Sequence, residues 1–138
     1  MSELLLDTHV LIWLLQDDAK MSESAFAQIQ FAAGEDQVLV SAITPWEIGL
    51  LVAKKKIDLG MDVQAWIDRA LSLPGIRLQP LLPAIAVAST RLPWEMHADP
   101  ADRILVATAR HTGATLVTAD EQLLRYAAQG FFRCQSAV

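Results

Sequence analysis

Cysteine is nearly absent from this sequence. Cys134 is the only one, so the chain cannot form an internal disulfide. Small domains that need disulfides to fold are typical of secreted proteins, whereas a chain of 138 residues can bury enough apolar surface without cross-links or a structural metal. We therefore expect a reducing, cytoplasmic environment.

Long hydrophobic runs are also missing. The run from Val10 to Leu15 is among the longest, and it falls far short of the ~18 apolar residues that a membrane-spanning helix needs. The N-terminal segment lacks a basic region and is interrupted by Glu3, Asp7 and His9, so we expect no signal peptide and no membrane association. Hydrophobic residues nevertheless make up 53% of the chain, slightly above the usual share. That excess predicts a homodimer or a partner protein.

An excess of basic residues is missing as well, since the formal net charge is −5. Proteins that bind nucleic acid through a broad basic face have the opposite balance. The charge therefore argues against simple binding of nucleic acid. It does not exclude a nuclease, because divalent cations held by carboxylates reverse the local field where a phosphate must lie.

The sequence does contain a regular alternation of short apolar runs and amphipathic segments. The runs predict strands at 4–6, 38–41, 76–82 and 115–118, with a possible last strand at 132–135. The segments between them predict helices at 10–15, 22–33, 44–55, 62–73, 84–91, 100–112 and 119–128. This alternation predicts one α/β domain over residues 1–138, a three-layer α/β/α sandwich with a central parallel sheet of four to five strands.

Acidic residues lie where the predicted strands end. Asp7 follows the first strand, Glu47 lies one turn into the helix after the second, and Asp120 follows the fourth. The carboxyl ends of parallel strands meet at one edge of a sheet, and ligands bind there. Asp99 and Asp102 begin the helix predicted at 100–112, whose position relative to this edge the spacing does not fix.

Each of these acids also has a purely structural explanation. Asp is favoured at helix N-caps, and acids in a first turn interact well with the helix dipole. Thr44 with Glu47 and Thr118 with Glu121 both match the capping-box pattern, and Asp99 matches an N-cap. Each acid taken singly is therefore compatible with capping.

The acids taken together are harder to explain by capping. Several carboxylates on one apolar rim repel each other unless a cation lies among them. Oxygen ligands without a Cys or His cluster favour Mg²⁺ or Mn²⁺ over Zn²⁺. Such a cation activates water and neutralises charge on a phosphate, so the pattern points to phosphodiester hydrolysis.

Four segments carry these acids: residues 4–9 (LLLDTH), 41–48 (SAITPWEI), 97–109 (HADPADRILVATA) and 116–120 (LVTAD). Together, in this order and at these separations, they resemble the PIN-domain ribonucleases of the VapC toxin type. The resemblance implies a metal-dependent endoribonuclease acting on single-stranded or structured RNA. It also implies a homodimer and a small antitoxin protein that inhibits the enzyme.

The resemblance further implies roles for individual residues. Asp7, Glu47 and Asp102 would be the catalytic acids that bind Mg²⁺ or Mn²⁺, with Asp120 as a further metal-binding acid. In many relatives the last acid lies three residues later, where this chain has Leu123. Asp120 is therefore expected to reach the metal either directly or through water. The implied supporting residues are Asp99, which would cap the helix and support Asp102, together with Thr8, Thr118 and Arg103.

Other polar and aromatic residues have less specific explanations. Arg103 could contact phosphate or pair with Asp99. The run Lys54, Lys55 and Lys56 could steer RNA toward the acids, although a basic run also suits the end of a helix. We expect structural roles for His9 and His97. The four tryptophans are expected in the core or facing an antitoxin or a second copy of the chain, and not as platforms for base stacking: Trp13, Trp46, Trp66 and Trp94.

Two alternatives remain to be compared with the nuclease. Phosphotransferases that use a strand-end Asp as the nucleophile normally need a second Asp two residues later, where this chain has His9. A catalytically inert PIN-like module that only binds an antitoxin or RNA is the other alternative. It is disfavoured because loss of activity would usually remove an acid, and all the acids are present.

Overall fold

The computed structural model describes residues 3–93, 95–96 and 99–138. Its strands are β1 (Leu4–Leu6), β2 (Val38–Ser41), β3 (Ile76–Gln79), β4 (Thr115–Thr118) and β5 (Arg133–Ser136). Its helices are α1 (Thr8–Gln16), α2 (Glu23–Gly34), α3 (Ile43–Ala53), α4 (Val63–Leu71), α5 (Pro83–Ser89), α6 (Pro100–Thr112) and α7 (Glu121–Ala127). Trp94, His97 and Ala98, which the sequence analysis considered, lie outside the described residues.

The strands form one five-stranded sheet in the order β3-β2-β1-β4-β5, and each described pairing is parallel. From β1 the chain adds β2 and β3 on one side and then crosses back to add β4 and β5 on the other. The direction of winding therefore changes between β1 and β4. In an open α/β sheet such a switch point leaves a crevice at the carboxyl ends of the strands, and Asp7 lies directly there, after β1.

Both faces of the sheet are covered by helices. Leu6 and Val40 pack into a cluster with residues of α1 to α4, whereas Leu5 and Leu39 pack into a second cluster with residues of α6 and α7. Neighbouring strand residues thus point to opposite faces, as the pleat requires. The continuously apolar runs of the sequence correspond to strands buried on both sides, which confirms the predicted three-layer α/β/α fold.

Several predicted boundaries are confirmed and others are wrong. Helix α6 spans the predicted residues 100–112, with Asp99 as its N-cap and Gly113 in the left-handed region at φ 76° after its end. Strand β3 stops at Gln79 and not at residue 82, because Pro80 has no N–H to continue a strand ladder. Within the described residues, no helix is both long and apolar enough to cross a membrane.

Neither predicted capping box forms. Helix α3 begins before Thr44, its N-cap is Ala42, and no side chain caps it. Helix α7 begins at Glu121 with Asp120 as its N-cap, so Thr118 stands outside the helix. The hydroxyl groups of Thr44 and Thr118 are therefore available for other hydrogen bonds.

Candidate active site

Asp7 connects the ends of the neighbouring strands β1 and β4. It is the N-cap of α1, and its Oδ1 accepts a hydrogen bond from the backbone N–H of Thr8 at 2.7 Å. Its Oδ2 accepts one from the Thr118 hydroxyl at 2.6 Å. The Thr118 oxygen in turn accepts a hydrogen bond from the backbone N–H of Asp120 at 3.0 Å. Thr118 thus joins Asp7, after β1, to Asp120, after β4.

The charge on Asp7 is unfavourable in the protein alone. Its side chain is buried, which raises the pKa of the carboxyl group above its usual value. Hydrogen bonds from Thr118 and Thr8 and an electrostatic interaction with His9 oppose that rise in pKa, while the Asp120 carboxylate adds to it. A cation bound beside Asp7 would remove the conflict between burial and charge.

Glu47 has a similar conflict. Its Oε1 is buried and has no hydrogen-bond partner among the described residues. Burial raises the pKa of Glu47, a hydrogen bond from the Thr8 side chain lowers it, and the charges of Asp7 and Asp99 raise it further. Buried carboxylate oxygens are rarely left without a partner, so this orphaned oxygen fits a ligand position for a cation.

Helix α6 brings two more acids to the same rim. Glu47, Asp99 and Asp102 each offer a carboxylate oxygen, and these atoms lie within 4.8 Å of one another. Asp99 also accepts a hydrogen bond from the backbone N–H of Asp102 at 3.0 Å, which confirms its capping role. The position of this helix relative to the strand ends was the point that sequence spacing left open.

Two of the acids lie outside the close group of Glu47, Asp99 and Asp102 but act on it electrostatically. Asp7 raises the pKa of Glu47, and Asp120 raises the pKa of Asp7. The donors are all carboxylate oxygens, and Thr8 and Thr118 orient them. Such a set fits a hard divalent cation and not a soft one.

Arg103 donates to backbone carbonyl groups, and a contact with phosphate stays a prediction. Its Nε donates to the carbonyl oxygen of Ser89 at 2.9 Å, and one terminal nitrogen donates to that of Met96 at 3.3 Å. Among the described residues it forms no ion pair with Asp99. Arg103 therefore ties α6 to the end of α5 and to Met96.

The three lysines lie at the other end of α3. Lys54 follows the last helical residue, and all three side chains are exposed. The seven residues from Glu47 to Lys54 correspond to about 10 Å along a helix axis. A role for Lys54, Lys55 and Lys56 in RNA binding stays a prediction.

Two residues near the acids have roles that sequence reasoning did not assign. His9, expected to be only structural, interacts electrostatically with Asp7 and Glu47, and the interaction lowers the pKa of both carboxyl groups. Thr44 is fully buried with its hydroxyl 3.3 Å from that of Thr8. The position of Thr44 three residues before Glu47 could have indicated a place near the acids, but a capping box explained the same spacing.

Comparisons with known proteins identify relatives of the whole chain. The sequence pattern of the PIN domain family matches residues 4–129. The chain is 32% identical over 123 residues to Ribonuclease VapC22 of Mycobacterium tuberculosis, a match that covers 89% of this chain and 91% of that protein.

Solved structures share the fold. A DNA-bound VapBC from Salmonella typhimurium superimposes with a TM-score of 0.72 at 16% identity, covering 100% of both chains. A toxin-antitoxin complex from Klebsiella pneumoniae gives a TM-score of 0.63 at 24% identity, covering 99% of this chain and 98% of the other. At these identities the similarity concerns the fold.

Proposed function

Because this chain belongs to the PIN domain family, we propose that it is an endoribonuclease that depends on Mg²⁺ or Mn²⁺ and serves as the toxin of a toxin-antitoxin pair. The observation that carries the proposal is the meeting of Glu47, Asp99 and Asp102 beside the buried Asp7. Further support comes from the similar protein of Mycobacterium tuberculosis, which is named a ribonuclease.

Asp7, Glu47 and Asp102 hold the cation in this proposal, and Asp120 adds a ligand or orients a coordinated water. When bound, the cation would lower the pKa of a water molecule and neutralise the charge that develops on the phosphate. Thr118 fixes Oδ2 of Asp7, and Asp99 holds the first turn of α6 so that Asp102 faces Glu47. The protein supplies positioned carboxylates, which would hold the cation where it meets the RNA phosphate and the attacking water.

The test is cleavage of a single-stranded RNA by the purified protein. We expect cleavage with Mg²⁺ or Mn²⁺ and none in a metal chelator. Asp7→Asn and Asp102→Asn should each lower the rate by on the order of 100-fold or more, because each removes a charged ligand of the essential cation. The matched control is Asp68→Asn, which changes an exposed acid on α4 and should leave the rate unchanged.

Two outcomes would reject this mechanism. One is cleavage in chelator that equals cleavage with metal. The other is full activity of Asp7→Asn or Asp102→Asn. A folded wild-type protein that binds divalent cations but cleaves no RNA would instead favour the alternative function, a catalytically inert module that binds an antitoxin or RNA.

The partners we propose are RNA as substrate, an inhibitory antitoxin protein and a second copy of the chain, in the reducing cytoplasm. The structural relatives include complexes named as VapBC and toxin-antitoxin assemblies. Large apolar side chains are exposed on several elements, among them Phe31 at 60%, Trp46 at 52% and Val87 at 50%. Partner proteins would cover such side chains. Light scattering that found only monomers at micromolar concentration would contradict the dimer.

A further inference from the structure

Asp99 has one carboxylate oxygen that its capping role does not use. Its Oδ1 accepts a hydrogen bond from the backbone N–H of Asp102 at 3.0 Å, and this contact caps α6. Among the described residues, no hydrogen bond or ion pair involves its Oδ2. Capping requires only one accepting oxygen, which Asn or Ser supplies as well as Asp does. The second oxygen of Asp99 is therefore available to a ligand.

The spacing of the acids around Asp99 matches what a single ion requires. Carboxylate oxygens of Glu47, Asp99 and Asp102 lie within 4.8 Å of one another. Ligand oxygens that lie about 2.0–2.6 Å from a divalent cation are separated by at most about 4–5 Å, when they stand on opposite sides of it. The three side chains can therefore meet one ion with only small movements.

Asp7 is placed differently from Asp99. Among the described residues, the group of potential ligands with this close spacing contains Asp99 and does not contain Asp7. The two oxygens of Asp7 already accept hydrogen bonds of 2.7 Å and 2.6 Å. The geometry thus favours Asp99, which the sequence placed only in a supporting role, as the third member of the group with Glu47 and Asp102.

A buried oxygen of Glu47 points independently to a ligand at this group. Its Oε1 is buried and has no hydrogen-bond partner among the described residues, which is unfavourable for a carboxylate oxygen. Glu47 is only partly exposed, whereas Asp99 is exposed. An ion held by the group would satisfy the buried oxygen, and the exposed side of the group would leave that ion accessible to water and phosphate.

We propose that Asp99 is a direct ligand of the divalent cation, together with Glu47 and Asp102, in addition to capping α6. This inference rests on the proposed function, because it concerns the cation of the same site. Oδ1 keeps the cap while Oδ2 binds the ion, so one side chain fixes both the start of the helix and the cation beside it. Three carboxylate oxygens fill half of an octahedral shell, and the other half is left for further acids, water and phosphate.

The experiment measures Mn²⁺ binding to the metal-free, full-length protein by calorimetry. Asp99→Asn and Asp99→Ser both keep an N-cap, so their melting temperatures should stay close to that of the wild-type protein. Each should weaken the Mn²⁺ affinity about ten- to 100-fold, the size of a lost contact between charged groups. Asp102→Asn should produce a loss of similar size. Unchanged affinity of the Asp99 variants, or a loss far smaller than that of Asp102→Asn, would overturn the inference.

The salt dependence separates a lost ligand from a lost charge. An exposed carboxylate that only lies near the ion attracts it through solvent, and this attraction is screened beyond about 3 Å in 1 M salt. A ligand in direct contact is not screened in this way. The difference in affinity between wild type and Asp99→Asn should therefore persist in about 1 M KCl. A difference that disappears there would show that Asp99 acts only as a nearby charge, and would overturn the inference.

The matched control is Asp62→Asn. Asp62 is also an exposed N-cap, since its Oδ2 accepts from the backbone N–H of Ala65 at 3.0 Å at the start of α4. It belongs to no group with the spacing for an ion among the described residues. The substitution makes the same change at a cap and should leave the Mn²⁺ affinity unchanged. Equal weakening by Asp62→Asn and Asp99→Asn would overturn the inference.

The wild-type protein separates this inference from the proposed function. If it binds Mn²⁺ and cleaves RNA while Asp99→Asn binds Mn²⁺ equally well, only the role of Asp99 is overturned. A folded wild-type protein that binds no Mn²⁺ would overturn the proposed function and the role of Asp99 together.

Discussion

At the scale of single residues, the burial of Asp7 conflicts with its charge. Burial raises the pKa of its carboxyl group above the usual range. A carboxyl whose pKa is higher in the folded state than in the unfolded state stabilises the fold at low pH. That stabilisation is lost as the pH rises through the raised pKa, so at neutral pH the ionised Asp7 opposes folding when no cation is bound.

Asp7→Asn should therefore stabilise the metal-free protein. At pH 7 in a chelator we expect its melting temperature to rise by roughly 3–5 °C, the shift that about 1 kcal/mol produces in a domain of this size. The difference in melting temperature should shrink at a pH below the pKa that Asp7 has in the unfolded chain, because Asp7 is then protonated in both states. Thermal unfolding followed by circular dichroism measures it, with Asp68→Asn as the exposed control. A lower melting temperature for Asp7→Asn at pH 7 would show that the charge is already balanced within the protein.

Residue type and order along the chain were enough to predict where several acids lie relative to the strands and helices. Asp7, Glu47 and Asp120 follow strands or begin the next helix, and that placement is visible in the hydrophobic pattern. The partners of these acids were not visible. The hydrogen bond from Thr118 to Asp7 joins residues 111 positions apart, and the sequence contains no signal for a pairing at that distance. The spacing of Thr44 and Glu47 fits a capping box, but the Thr44 hydroxyl caps nothing and lies 3.3 Å from that of Thr8.

At the scale of elements, the start of α6 decides where Asp102 lies. Local signals predicted this helix completely, since an Asp-Pro start and a glycine after the end are strong boundary signals. They could not predict its place in the fold. That place comes from the packing of Leu105 and Val106 into the cluster beneath the sheet, together with the hold of Arg103 on the Ser89 and Met96 carbonyls.

Substitutions of Asp99 separate its capping role from its charge. Asp99→Asn keeps an oxygen that can accept from the Asp102 N–H, so stability should change little, whereas Asp99→Ala should lose about 1 kcal/mol of unfolding free energy. If Asp99 only supports Asp102, Asp99→Asn should weaken Mn²⁺ binding less than Asp102→Asn does. Unfolding in denaturant measures the stability of each variant, and calorimetry measures its Mn²⁺ affinity. Equal losses of affinity would mean that Asp99 is itself a ligand.

Boundaries set by tertiary contacts were the ones that the sequence predicted wrongly. The start of α3 was placed at Thr44 because Thr-Pro resembles a helix start, but the helix begins at Ile43 after the Ser41 turn. The end of β3 was placed too late because the apolar pattern continues past Pro80. The ends of short edge strands depend on pairing with a neighbouring strand, and nearby residues in the sequence do not predict that pairing.

At the scale of the whole molecule, the topology explains how a chain with a net charge of −5 could act on RNA. The sheet reverses its winding between β1 and β4, Asp7 follows β1 there, and Glu47, Asp99 and Asp102 come together. A cation bound by these acids would turn a negatively charged site into a place that attracts a phosphate. The alternation of strands and helices made this parallel fold predictable, because crossover connections allow few arrangements.

The central claim is that these acids bind a divalent cation together, and diffraction from a crystal grown with Mn²⁺ tests it most directly. The account predicts an anomalous peak at the carboxyl end of the sheet, with oxygens of Asp7, Glu47 and Asp102 at about 2.1–2.3 Å from one ion or from two adjacent ions. A well-ordered crystal at millimolar Mn²⁺ with no peak there, or with Mn²⁺ bound only at other carboxylates, would contradict it.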